Sequence, residues 1–290
     1  MLLLSLLPHA MALDEMHTYG VEAFGADPEC CDACGVIPWS IDASDKVFDD
    51  FSDFIDDSDW DVARSNNNAA VDPEDWIDDD EDPSFGDDNV DPWGADSADV
   101  AFIFTHGTSD CFSDGTGDQL SFVMGVFNDE GTYSDMCSPD SNGEWRFGDD
   151  SDDLEIVVND ACHGADTCAW DNGAFSLTNT TGLRGTDLRM YLGFHGVGYS
   201  SPGTPGEMNA YVTTSLTSGI GSHWLSERVW IGILGNDDQC PVAITFGTTT
   251  TDATSFHNSG GFADRFNNTP HAVHRRVFID DCDPDEGGAM

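Results

Sequence analysis

"LEIVVNDACHGAD", Leu154 to Asp166, is apolar through Val158, turns polar at Asn159 and Asp160, and then sets Cys162, His163 and Gly164 in succession. A second stretch, "DVAFIFTHGTSD", Asp99 to Asp110, has the same shape and runs from an apolar core into His106-Gly107. A short, unbroken apolar run bounded by small and polar residues is the pattern of a strand buried on both faces, as in a parallel sheet. Reactive groups in such sheets gather beyond the carboxyl ends of the strands. If the two strands are neighbours, His106 and Cys162 share one rim.

The flanking sequence extends the pattern. His17–Gly25 reads as a first strand, "DWDVARS" from Asp59 as a short second one, "DLRMYLGF" from Asp187 as the strand after the cysteine, and Val242–Gly247 as the last. Helical spacing of Val47, Phe48, Phe51, Phe54 and Ile55 predicts a helix capped by Ser40. A second helix starts near Glu207 with Met208, Tyr211, Val212 and Leu216 on one face, and a third runs through "GSHWLSERVW" from Gly221. Strands alternating with helices predict an α/β domain over residues 17–250, with a mostly parallel sheet and helices on both faces. Within it, residues 72–99 read as an acidic insertion loop containing Trp76, Phe85 and Trp93, and residues 251–290 as a polar C-terminal segment.

Composition narrows the setting. The chain has 290 residues, 56 Asp plus Glu against 9 Lys plus Arg, and a formal charge of −47. Self-repulsion on that scale opposes a compact state unless salt screens it, and the Debye length falls from ~10 Å at 0.1 M to ~3 Å at 1 M. A protein adapted to high salt is the natural reading. Nucleic acid is excluded as a partner because no basic patch exists to meet phosphates. Nine cysteines are many for a reducing compartment, and residues 1–12 ("MLLLSLLPHAMA") read as a signal peptide ending Ala10-x-Ala12. The expected location is therefore secreted or cell surface. No run is apolar for the ~18 residues that a membrane span needs.

A nucleophilic cysteine needs a proton acceptor and donors for a developing oxyanion. His106 offers the imidazole, Gly107 an uncrowded N–H, and Gly164 room for a substrate backbone. The motif pair resembles the caspase–hemoglobinase fold of cysteine peptidases, in which an apolar strand ends in His-Gly and a later one in an acidic or amide residue, a small residue and Cys-x-Gly. It is similar also to an uncharacterised microbial domain family with the same motifs, through "YGVE", the Trp-rich acidic stretch and "LRMYLGF". That resemblance implies a three-layer caspase-like fold and a peptidase acting on peptide or protein substrates. In it, His106 would be general base and acid, Cys162 the nucleophile, and the N–H groups of Gly107 and Cys162 the oxyanion hole. Asp160 would line the substrate pocket and favour a basic P1 residue, although the same acid equally suits a strand-end cap. His195-Gly196 offers a competing imidazole, and His163 should point elsewhere.

Two other classes fit the same residues. A non-catalytic caspase-like binding module would keep the fold and use a disulfide-stabilised acidic surface, and a Cys162–Cys168 disulfide would mark it. A metal-dependent hydrolase would need ligands such as Cys162, His163, Cys168 and His195, whose spacing is irregular. Cys30, Cys31 and Cys34 resemble half a zinc site, but disulfides suit them better. Asp87, Asn89 and Asp91 begin like a calcium loop, but Pro92 stands where its glycine belongs. No cofactor is called for; calcium is the one metal that the acidic loops offer.

The charge reading has a direct test. Thermal unfolding followed across an NaCl series should show a melting temperature that climbs with salt, most steeply below about 0.3 M, where screening is weak. A flat or falling melting temperature would contradict it.

Overall fold

The computed structural model describes residues 14–21, 39–55, 60–67, 71, 73–76, 94–107, 122–123, 126–127, 133–134, 154–166, 188–229, 238–262 and 274–279. In chain order these form β1 (Asp14–Gly20), α1 (Ser40–Ile55), β2 (Trp60–Asn67), β3 (Val100–Phe104), the short β4 (His106–Gly107), β5 (Phe122–Val123), β6 (Val126–Phe127) and β7 (Tyr133–Ser134). There follow β8 (Ile156–Asp160), β9 (Met190–His195), α2 (Thr204–Ser215), α3 (Ile220–Arg228), β10 (Cys240–Gly247), α4 (Thr250–Ser259) and β11 (His274–Ile279).

The main sheet has seven strands in the order β11-β10-β9-β8-β3-β1-β2. Strands β2, β1, β3, β8 and β9 run parallel, while β10 is antiparallel to both β9 and β11. The chain is thus α/β with a mixed, mostly parallel sheet. Every residue of β3 is buried, which is why its five apolar side chains need no polar alternation.

Period-two alternation sends side chains to two cores. Phe102, Phe104, Ile156, Val158, Leu192 and Phe194 pack beneath Ala43 and Val47 of α1, Met208 and Tyr211 of α2, and Trp224 of α3. The aromatic rings interlock there, with Phe194–Trp224 centroids at 5.3 Å and Tyr211–Trp224 at 5.4 Å. On the opposite face, Ala101, Ile103, Val157 and Tyr191 pack with Val71, Trp76 and Ala95. Helices α1, α2 and α3 cover the first face, whereas the second is covered, among the described residues, by 3-10 turns at Pro73–Trp76 and Ala95–Ser97.

Three readings of the sequence need adjusting. The first strand, read as His17–Gly25, already starts at Asp14 and runs to Gly20, pairing along that length with β2, while residues 22–25 lie outside the described residues. The stretch 72–99 is anchored at both ends: Trp76 is fully buried, 4.9 Å edge-on from the Tyr19 ring, and Ala95 is in the same core. Part of the polar C-terminal segment belongs to the sheet domain, since α4 packs on β10 and β11 adds the edge strand through Ile279. Its polarity misled because an edge strand with alternating exposure carries few apolar residues. Helix α4 is started by Thr249, whose hydroxyl accepts from the Asp252 N–H at 3.0 Å.

Candidate active site at the carboxyl rim of the sheet

Strands β3 and β8 are direct parallel neighbours, with Phe104 opposite Asp160 at their ends. The Thr105 N–H reaches the Asp160 carbonyl, 3.4 Å away. Both strands therefore stop at the same level, and His106 and Cys162 each stand two residues beyond that matched pair. The backbones then converge further. A Cβ added to Gly107 would lie 1.6 Å from the Cys162 carbonyl oxygen. Only glycine lets the two main chains come this close. The side chain of His106 lies outside the described residues, so its backbone alone is placed, in β4, beside this contact.

Cys162 carries a free thiol. Its Sγ donates to the Gly198 carbonyl oxygen at 3.4 Å. Burial pushes the thiol pKa up and the nearby Asp160 carboxylate adds to this, while backbone hydrogen bonds involving Gly198 first, then Cys162 and Gly107, oppose the rise. The resting group is thus a protonated thiol that needs a base to become a nucleophile.

Asp160 is not an open acid. Its two carboxylate oxygens accept from Arg228 Nη2 at 2.9 and 2.8 Å, and Arg228 reaches Glu207 through Nη1. The Arg228 side chain is wholly buried, over the rings of Phe194 and Trp224, while Glu207 is half exposed. Burial pushes the Asp160 carboxyl up, and Arg228 works against that. The sequence pointed to Arg228 only indirectly: it falls on the same buried stripe of α3 as Ile220, Trp224 and Leu225.

Sequence reasoning also missed Asp166. This acid accepts from His163 Nδ1 at 2.9 Å, His195 Nδ1 at 3.1 Å and the Gly196 N–H at 2.8 Å. Burial alone would raise its pKa, but hydrogen bonds from His163 and His195, the His163 charge and the Gly196 N–H outweigh it and bring it down to about 2. The His163 ring points into this cluster, and His195 joins it at the end of β9. The signal in the sequence was the His163–Asp166 spacing of three, which suits a tight turn.

Among the described residues no group of His, Cys, Asp and Glu could hold a metal ion, and no helix is long and apolar enough to cross a membrane. Cys168, Cys30, Cys31, Cys34, the Asp87–Asp91 loop and residues 1–12 lie outside the described residues. No family model, curated protein or solved structure matches the chain.

The Asp166 cluster sets an acid limit. An unpaired aspartate titrates near 3.8 and Asp166 at about 2. Its contribution is therefore complete above about pH 4 and is lost as pH falls toward 2, a difference of ~2 kcal/mol. In acid unfolding at high salt, wild type should exceed Asp166→Asn in stability near pH 5, and the two curves should converge near pH 2. Parallel curves across that range would contradict the ionised cluster.

Proposed function

We propose that the protein is a cysteine peptidase of the caspase-like class, with Cys162 as nucleophile and His106 as general base and acid. The observation that carries this reading is the flush ending of β3 and β8, which sets the main chain of Cys162, bearer of a free thiol, against Gly107, the residue after His106. The mostly parallel sheet, with both residues at its carboxyl rim, is the setting such chemistry uses.

The steps follow from the groups present. The His106 imidazole takes the thiol proton, and the sulfur attacks the scissile carbonyl carbon. The oxyanion that forms is met by the N–H groups of Gly107 and Cys162, where losing one donor costs ~3–4 kcal/mol. The imidazolium then gives its proton to the leaving amine and the C–N bond breaks. Water, deprotonated by the same imidazole, hydrolyses the thioester and restores the thiol. Because burial keeps the resting thiol protonated, catalysis depends on that base rather than on a standing thiolate.

A preference for a basic P1 residue, which the acid at 160 would favour, would have to compete with Arg228, which already holds both Asp160 and Glu207. The enzyme would work outside the cell or on its surface, in high salt, with its other cysteines paired and without a metal.

The test is labelling in high salt by peptidyl electrophiles with P1 Arg, Lys or Leu, followed by sequencing of the modified peptide. Cys162 should carry the label. Cys162→Ala should abolish turnover and His106→Ala should lower it by several orders of magnitude, both remaining folded. If Cys162→Ala turns over like wild type, the reading fails. If His195→Ala is inactive while His106→Ala is not, the imidazole is misassigned.

A further inference from the structure

We propose that Asp166 is a positioning residue: its single carboxylate fixes His163 and His195 as Nδ1–H tautomers and thereby holds the turn that presents Cys162. The positioning half rests on the peptidase reading, whereas the tautomers follow from the hydrogen-bond geometry around an ionised carboxylate.

An ionised carboxylate only accepts hydrogen bonds. Both imidazoles approach it through Nδ1, at 2.9 and 3.1 Å, so both rings must carry a proton there. The third bond, from the Gly196 N–H at 2.8 Å, ties the same carboxylate to the chain beyond β9. Asp166 thus clasps two segments: the turn after β8 and the end of β9. A fourth bond closes the clasp from the other side, with the His163 N–H donating to the Gly196 carbonyl at 2.6 Å.

The clasp has something to hold. His163 has φ +58°, in the left-handed region that non-glycine residues adopt only when their surroundings impose it. It is the residue directly after Cys162, so relaxation of its backbone would swing the peptide that carries the nucleophile. The chain that Asp166 ties down also supplies Gly198, whose carbonyl accepts from Cys162 Sγ. Without the carboxylate, the buried ring of His163 and the Gly196 N–H would both lose their partner. Asp166 is itself buried, so it acts through its partners.

The experiment uses the full chain in high salt. Two-bond proton–nitrogen spectra of the 15N-labelled imidazoles should show His163 and His195 protonated at Nδ1, and an Nε2–H tautomer at either residue overturns the proposal. Asp166→Asn offers one acceptor oxygen and two donor hydrogens, so at least one ring must change tautomer or lose its bond. Labelling of Cys162 by the peptidyl electrophile should then fall at least tenfold, since misplacement by about 1 Å can cost a hundredfold. Alkylation by iodoacetamide, which needs no docking, should stay within about threefold of wild type, and the loss of turnover should fall on kcat rather than KM. Asp166→Glu, which keeps a carboxylate, should recover part of the labelling. Equal loss with both reagents marks a merely structural role, and unchanged peptidyl labelling marks none; either overturns the positioning claim. If wild type is itself unlabelled by the peptidyl electrophile, the peptidase reading falls, and the tautomers alone decide the clasp.

Discussion

The approach of Gly107 to Cys162 is the constraint on which the rest of the site depends. Two parallel strands that end level bring their following residues side by side, but side chains ordinarily keep the main chains apart. Here one of the two residues has no side chain, and the backbone of residue 107 lies against the Cys162 carbonyl. The contact joins the ends of β3 and β8 into one surface. It also sets the amides of Gly107 and Cys162 close to the sulfur. Strand β9 completes the surface: a Cβ at Gly193 would lie 2.9 Å from that of Ala165, so the turn after Cys162 sits tight on it. Sheet register, a small-residue turn and the free thiol are thus one piece of geometry.

Charge is distributed unevenly around that geometry. The chain carries −47 overall, yet the rim holds one of its few arginines fully buried. Arg228 binds Asp160 with two hydrogen bonds and reaches Glu207. Removing one partner of a buried pair typically costs ~3–5 kcal/mol, because the other is left uncompensated. Two residues from Cys162, an unpaired carboxylate would raise the thiol pKa further, since Asp160 already acts in that direction. Asp166 is neutralised differently, by two imidazoles and an amide, and stays ionised to about pH 2. Asp160 and Asp166, the two acids on either side of Cys162 in the chain, are thus both held by buried partners.

Much of this architecture was legible in the sequence because burial leaves a period. The unbroken apolar runs at 100–104 and 156–158 marked central strands, and Met208, Tyr211 and Val212 marked the inner face of α2. The matching ends of the two runs pointed to a shared rim, which the pairing of β3 with β8 provides. What stayed hidden depends on contacts far apart in the chain. Arg228 meets Asp160 across 68 positions, and His195 meets Asp166 across 29. Edge strand β11 was hidden for another reason, since half-exposed "HRRVFI" lacks the apolar weight of a central strand. Asp160 was legible as an acid at the rim, but not as an acid already paired.

The central claim is that the ends of β3 and β8 form one catalytic surface. A high-salt crystal structure of the covalent adduct with a peptidyl electrophile tests it most directly. The account predicts a bond from the electrophile's carbon to Cys162 Sγ, the substrate oxygen within ~3 Å of the Gly107 and Cys162 amides, and the His106 imidazole within hydrogen-bond reach of the sulfur. An adduct whose oxygen points away from both amides, or whose sulfur faces His195 with His106 turned out to solvent, would contradict it.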